Sequence, residues 1–75
     1  MENNWLNLLN KYGQIINEVH LANIYNRNPN IAAYHHAVGV LEGYALACYE
    51  AGIATDEEYK YMLQQVKAIE NGEVL

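Results

Sequence analysis

This sequence predicts an all-α fold: a small antiparallel three-helix bundle, or a helical hairpin with a third helix laid across it. Three observations point there. Apolar residues recur at helical spacing in three segments, a proline-centred and a glycine-centred break separate them, and no segment alternates with the two-residue period of a strand. Residues 1–75 read as a single helical domain, too short for two.

The first helix is expected over about 4–25. Trp5, Leu8, Leu9, Tyr12, Ile15, Ile16 and Val19 share one face, with Asn7, Asn10, Lys11, Gln14, Asn17 and Glu18 opposite. Asn3 or Asn4 can cap its start. Its end is expected before NRNPN, because Pro29 restricts Asn28 to extended conformations. The second helix, about 30–51, starts near Pro29 or Asn30, with the proline suited to a first turn. Gly52 fits the left-handed position that closes a helix, and Ile53 is expected to supply the apolar contact that follows. TDEE at 55–58 is a capping box, in which Thr55 and Glu58 each serve the other's backbone N–H. Asp56, Glu57 and Glu58 also suit the positive end of a helix dipole. The third helix, about 56–70, buries Tyr59, Met62, Leu63, Val66 and Ile69 and ends at Asn71-Gly72.

Charge narrows the partners. Four basic residues stand against nine acidic ones, a net charge of −5. Lys11, Arg27, Lys60 and Lys67 are too few and too scattered to displace counterions from nucleic acid or to hold an anionic membrane. A helix-turn-helix reader around Ala51-Gly52 would open its second helix with three acids aimed at phosphates. A lone cysteine, Cys48, cannot form an intrachain disulfide, which points to a reducing compartment. The opening MENNW lacks a basic region followed by an apolar one, and no apolar run approaches the ~20 residues of a membrane span. A soluble, cytoplasmic protein is expected.

The unusual segment is YHHAVGVLEGYALACYE at 34–50. One arc of the helical wheel, over half the circumference, holds Ile31, Tyr34, Ala37, Val38, Val40, Leu41, Tyr44, Ala45, Cys48 and Tyr49, so this helix should be the central one. The other arc holds His35, His36, Gly39, Glu42, Gly43, Leu46 and Glu50. A mid-helix glycine costs roughly 1 kcal/mol relative to alanine. Two of them on one face admit a neighbouring helix of the same chain, leave a groove for a partner, or reflect neutral drift. The second alternative predicts a homodimer whose seam includes Gly39, Gly43 and Leu46, flanked by His36 and Glu50. Tyr61, on a polar side, is a further candidate contact.

Candidates for chemistry are sparse. His20 and His36 are equidistant from a turn at Asn28 and could meet across a hairpin, but His35 and His36 point about 100° apart, and no HxxxH or ExxH pair shares a face. No metal site, cofactor or catalytic residue is expected. Cys48 falls in the apolar arc, with no basic neighbour to activate it. Seven tyrosines and no phenylalanine give Tyr12, Tyr34, Tyr44, Tyr49 and Tyr59 as partly buried rings with hydroxyls at the core edge. The resulting expectation is a non-enzymatic helical protein-interaction or regulatory module that forms a homodimer and binds an unidentified protein partner. The alternatives are a small acidic mobile-element inhibitor that blocks a nucleic-acid-binding protein, and a metal-binding helical protein using its histidines.

Overall fold

The computed structural model describes residues 3–73, which form α1 (Asn3–Ile24), α2 (Ile31–Glu50) and α3 (Asp56–Glu70), each packed against the other two. The chain is a small all-α three-helix bundle. No strand occurs among the described residues. None of these helices is long and apolar enough to cross a membrane.

Each helix ends in the same way. A residue at positive φ (Asn26 at 56°, Gly52 at 75°, Gly72 at 83°) reverses the chain. The N–H of the following residue then returns to a carbonyl five positions back: Arg27 to Ala22 at 2.7 Å, Ile53 to Cys48 at 2.8 Å, Glu73 to Ala68 at 2.9 Å. These are Schellman closures, and they satisfy carbonyls that would otherwise lack partners. Asn26 therefore closes α1 at the end expected, before NRNPN, and does so itself rather than through Pro29. Asparagine can do this because it tolerates the left-handed region better than most side chains. Pro29 also lies outside α2, since Asn30 is the N-cap and its side chain accepts the Ala33 N–H at 3.0 Å. At α1 the helix starts early enough that Asn4 lies inside it, and the Asn3 side chain lies outside the described set. The capping box of α3 is complete: Thr55 Oγ1 accepts the Glu58 N–H at 3.1 Å, and Glu58 Oε1 accepts the Thr55 N–H at 3.0 Å.

The register of the α1–α2 hairpin differs from a symmetric one. Trp5 stacks on Tyr44, with centroids 6.2 Å apart and planes 13° apart, and Tyr12 meets His36 edge-on. A turn centred on Asn28 would instead set His36 opposite His20. The cause is the connection: Arg27 to Asn30 fold back along the last turns of α1, beside Glu18, Val19 and Ala22. α2 thus begins part-way down α1.

The core forms along the three expected stripes. Trp5, Leu9 and Ile16 of α1, Ala37, Leu41 and Ala45 of α2, and Met62, Val66 and Ile69 of α3 make one buried cluster. Trp5 is fully enclosed, and its Nε1–H donates to Gln65 Oε1 at 2.8 Å, so the one polar atom of the indole is satisfied. Gly13 is the close-approach point of the bundle. A Cβ there would lie 3.0 Å from Ile69 Cδ1.

Candidate functional site on the outward face of the second helix

Burial along α2 divides it sharply. Ala37, Leu41, Ala45 and Cys48 are buried, and Tyr34, Val38 and Tyr44 are half-buried beside them. At 100° per residue, the line opposite this group runs through Ala32, His36, Gly39, Gly43, Leu46, Ala47 and Glu50. All seven are exposed. The five proposed seam residues of α2 therefore share one continuous face, the one turned directly away from α1 and α3. Tyr61 is exposed on the solvent side of α3, apart from this line.

The structure bears on one of the uses expected for the glycines, packing within the chain. A Cβ built on Gly39 or Gly43 meets nothing within 4 Å. Neither helix of the same chain packs there, so intrachain packing does not account for either glycine; that role belongs to Gly13. A helical wheel shows which residues share an arc, but not which arc a neighbour covers.

The exposed face is chemically unusual for a surface helix. Such helices carry charged or polar residues opposite the core. Here the middle of the outward line is Gly39, Gly43, Leu46 and Ala47, with Leu46 43% exposed. Titratable side chains stand on this line only at His36 and Glu50. Next to Glu50, Tyr49 and Ile53 extend the apolar surface. Both correct the expectations above. Tyr49 is exposed rather than partly buried, because it stacks flat on Tyr59 (centroids 4.7 Å) at the rim of the bundle. Ile53 is 65% exposed, and Ala54 packs on the core in its place. Ile31, assigned to the apolar arc, is likewise exposed at the start of α2. Tyr12, Tyr34, Tyr44 and Tyr59 are half-buried as expected.

Electrostatics are local. The Tyr49 hydroxyl is held by a hydrogen bond to the Asp56 carboxylate, which raises its pKa. Burial, together with the nearby Glu70 carboxylate, raises that of Tyr34. The Thr55 backbone N–H, and then its hydroxyl, stabilise the Glu58 carboxylate and lower its pKa. Asp56 and Glu58 thus already have partners within the chain.

The histidines go to different neighbours. His20 Nε2 lies 3.2 Å from the Ile69 carbonyl near the end of α3, His35 meets Tyr34 edge-on, and His36 meets Tyr12. Among the described residues no three His, Cys, Asp or Glu side chains stand together as a metal-binding group. Cys48 is a buried free thiol. Two shallow clefts flank α1. One, of about 290 Å³, lies under the α1–α2 connection, with Glu18 and Arg27 as its titratable lining. The other, of about 200 Å³, lies between α1 and α3, lined by Leu9, Asn10, Gln14, Asn17 and Glu73 among others. No protein-family model, curated protein or solved structure shows a significant match to this chain.

Proposed function

We propose that this chain is a non-enzymatic, cytoplasmic protein-interaction module that associates with a second copy of itself through the outward face of α2. One observation carries the reading: a 20-residue helix whose outermost line runs Gly39, Gly43, Leu46 and Ala47 between His36 and Glu50, with Glu42 and His35 to one side, where charge usually predominates. Gly39 and Gly43 each destabilise the isolated helix by roughly 1 kcal/mol. A backbone packed against them offsets that cost, since without a Cβ two helices can approach closely. A small domain with limited core also gains from covering Leu46 and its neighbours. The paired chain would be an acidic regulatory element whose remaining exposed surface, including Tyr61, is open to a further protein.

The test is the oligomeric state. Sedimentation equilibrium of the parent at high micromolar concentration should give a dimer, and Gly43→Leu should dissociate it while keeping its helical circular dichroism. A parent that stays monomeric refutes the reading. So does a Gly43→Leu chain that remains dimeric.

A further inference from the structure

We infer that Asn71–Gly72, at the end of α3, is a self-modification site held in check by the closure of the helix: when the last turn opens, Asn71 deamidates, and the isoaspartate formed keeps the end of α3 from reseating against His20. The chain has ten asparagines, and Asn71 is the one followed by glycine. Six others lie inside α1, Asn28 precedes a proline that has no N–H, and Asn26 and Asn30 precede Arg27 and Ile31. A glycine nitrogen has no side chain beside it, so it reaches the neighbouring amide carbon with the least obstruction. Asn71 and Gly72 are both exposed, so water and hydroxide have access to them. The glycine is also required by the fold. Gly72 stands at φ 83° to close the helix, a conformation that side chains rarely adopt. The residue that ends α3 is thus the one that makes Asn71 reactive.

The step balances as a hydrolysis, consuming water and releasing ammonia. Hydroxide removes the Gly72 N–H proton, the nitrogen forms a bond to Asn71 Cγ, and the Cγ–Nδ2 bond breaks as ammonia leaves. Water then opens the succinimide at one of its two carbonyls. Opening at the backbone carbonyl gives isoaspartate, and opening at Cγ gives aspartate. The folded geometry blocks the first bond. At ψ 4° the Gly72 nitrogen eclipses the Asn71 backbone nitrogen, whereas the ring needs it beside Cβ, roughly a third of a turn away about Cα–C. That nitrogen is also occupied, since its N–H donates to the Ile69 carbonyl at 3.0 Å. The Glu73 N–H donates to the Ala68 carbonyl at 2.9 Å. His20 holds the turn from α1: its Nε2 lies 3.2 Å from the Ile69 carbonyl, and its ring lies against Gly72, where an added Cβ would come within 3.6 Å of Nδ1. Reaction therefore waits for this turn to open, and helix ends open far more often than whole domains.

The product does not close again in the same way. Isoaspartate carries the main chain through Cβ and Cγ, one carbon longer, and leaves a carboxylate on Cα. The added atom shifts Gly72 and Glu73 out of register with the Ile69 and Ala68 carbonyls. The new carboxylate joins Glu70 and Glu73 at the pole where the helix dipole disfavours negative charge. Lys67, the base in that turn, already stands 3.8 Å from Glu70. What loosens is the join between α1 and α3, because Ile69 packs against Gly13 and Glu73 borders the cleft beside them. The modification acts in one direction: a chain whose last turn has opened often enough keeps an α3 that no longer seats fully on α1. It involves no residue of the α2 face proposed for association.

Peptide mapping tests the site and its gate. The purified chain is held at mildly alkaline pH and body temperature, digested with trypsin at intervals, and the peptide that begins at Ala68 is followed by mass for exchange of the amide NH₂ for OH. Deamidation should fall on Asn71 and run about tenfold or more faster in concentrated urea than in the folded chain, because two backbone hydrogen bonds and the His20 contact must break first. Equal rates in the two states overturn the protection. Below the unfolding transition, added urea should leave the folded rate nearly constant, because opening one turn exposes little surface. A rate that climbs in step with the globally unfolded fraction overturns gating by the last turn. His20→Ala should raise the folded rate about threefold, with Trp5 fluorescence confirming that the chain stays folded, and an unchanged rate overturns the part given to His20. The urea series uses the unaltered chain and stands whatever that variant does. The isolated isoaspartyl chain should exchange its Gly72 and Glu73 amide hydrogens faster than the parent, with the amides of α2 unchanged. Unaltered exchange at 72 and 73 overturns the loss of the closure.

Discussion

Replacing Gly39 and Gly43 with alanine should stabilise the single chain. Both lie mid-helix on the outward line of α2, and a Cβ at either position meets no atom within 4 Å. Nothing among the described residues opposes the added methyl, and what remains is the backbone entropy that glycine loses on folding, about 0.5–1 kcal/mol at each site. The two positions share no intrachain neighbour, so the gains should add to about 1–2 kcal/mol. At ~4–8 °C per kcal/mol for a domain of this size, Tm should rise by about 4–16 °C. The assay is urea unfolding followed by the fluorescence of Trp5, the single tryptophan and a fully buried one. It should be run at submicromolar concentration, well below the range in which association is tested, and the m-value should stay unchanged. A loss of stability at that dilution would refute the reasoning, because it would mean that another part of the same chain occupies the space beside the glycines. At high concentration the sign should reverse for association: the methyls hold two backbones apart, and the dimer weakens as the monomer strengthens.

The remaining predictions concern the bundle itself. Thr55→Ala should cost roughly 1 kcal/mol by removing the acceptor for the Glu58 N–H, read as a lower urea midpoint. The Glu58 carboxyl is lowered in the folded state, so its stabilisation is fully present above the ordinary glutamate range and is lost as pH falls through the folded value; between about pH 5 and pH 3 the parent should lose more stability than Glu58→Gln, measured by urea midpoints. Gly13→Val should destabilise by about 1–3 kcal/mol, because even a bare Cβ lies 3.0 Å from Ile69 Cδ1, whereas Gly43→Ala should stabilise; equal responses at the two sites would contradict the packing described. Trp5→Ala should cost about 3–5 kcal/mol and leave much of the chain unfolded by circular dichroism, since it removes the largest enclosed side chain and strands the Gln65 amide.

Helix positions and ends are readable in the sequence because they are set by neighbours along the chain. The stripes of Trp5–Val19 and Tyr59–Ile69 follow from periodicity, and Gly52 and Thr55–Glu58 mark boundaries through backbone bonds spanning three to five residues. The end of α1 also falls where local signals put it, with Asn26 rather than Pro29 closing the helix. The tertiary structure alone decided which faces are covered. A helical wheel ranks directions but does not say which of them meets a neighbour. The fold-back of Arg27–Asn30 shifted α2 along α1, which paired Tyr12 with His36, separated His20 from it, and left Tyr49 and Ile53 at the rim. The crossing of α1 and α3 made Gly13 the glycine with a packing role, although nothing in its local sequence marks it. By the same geometry Gly39 and Gly43 stand in open space, because α1 and α3 both occupy the opposite side of α2 and no local rule in the sequence encodes that choice of side.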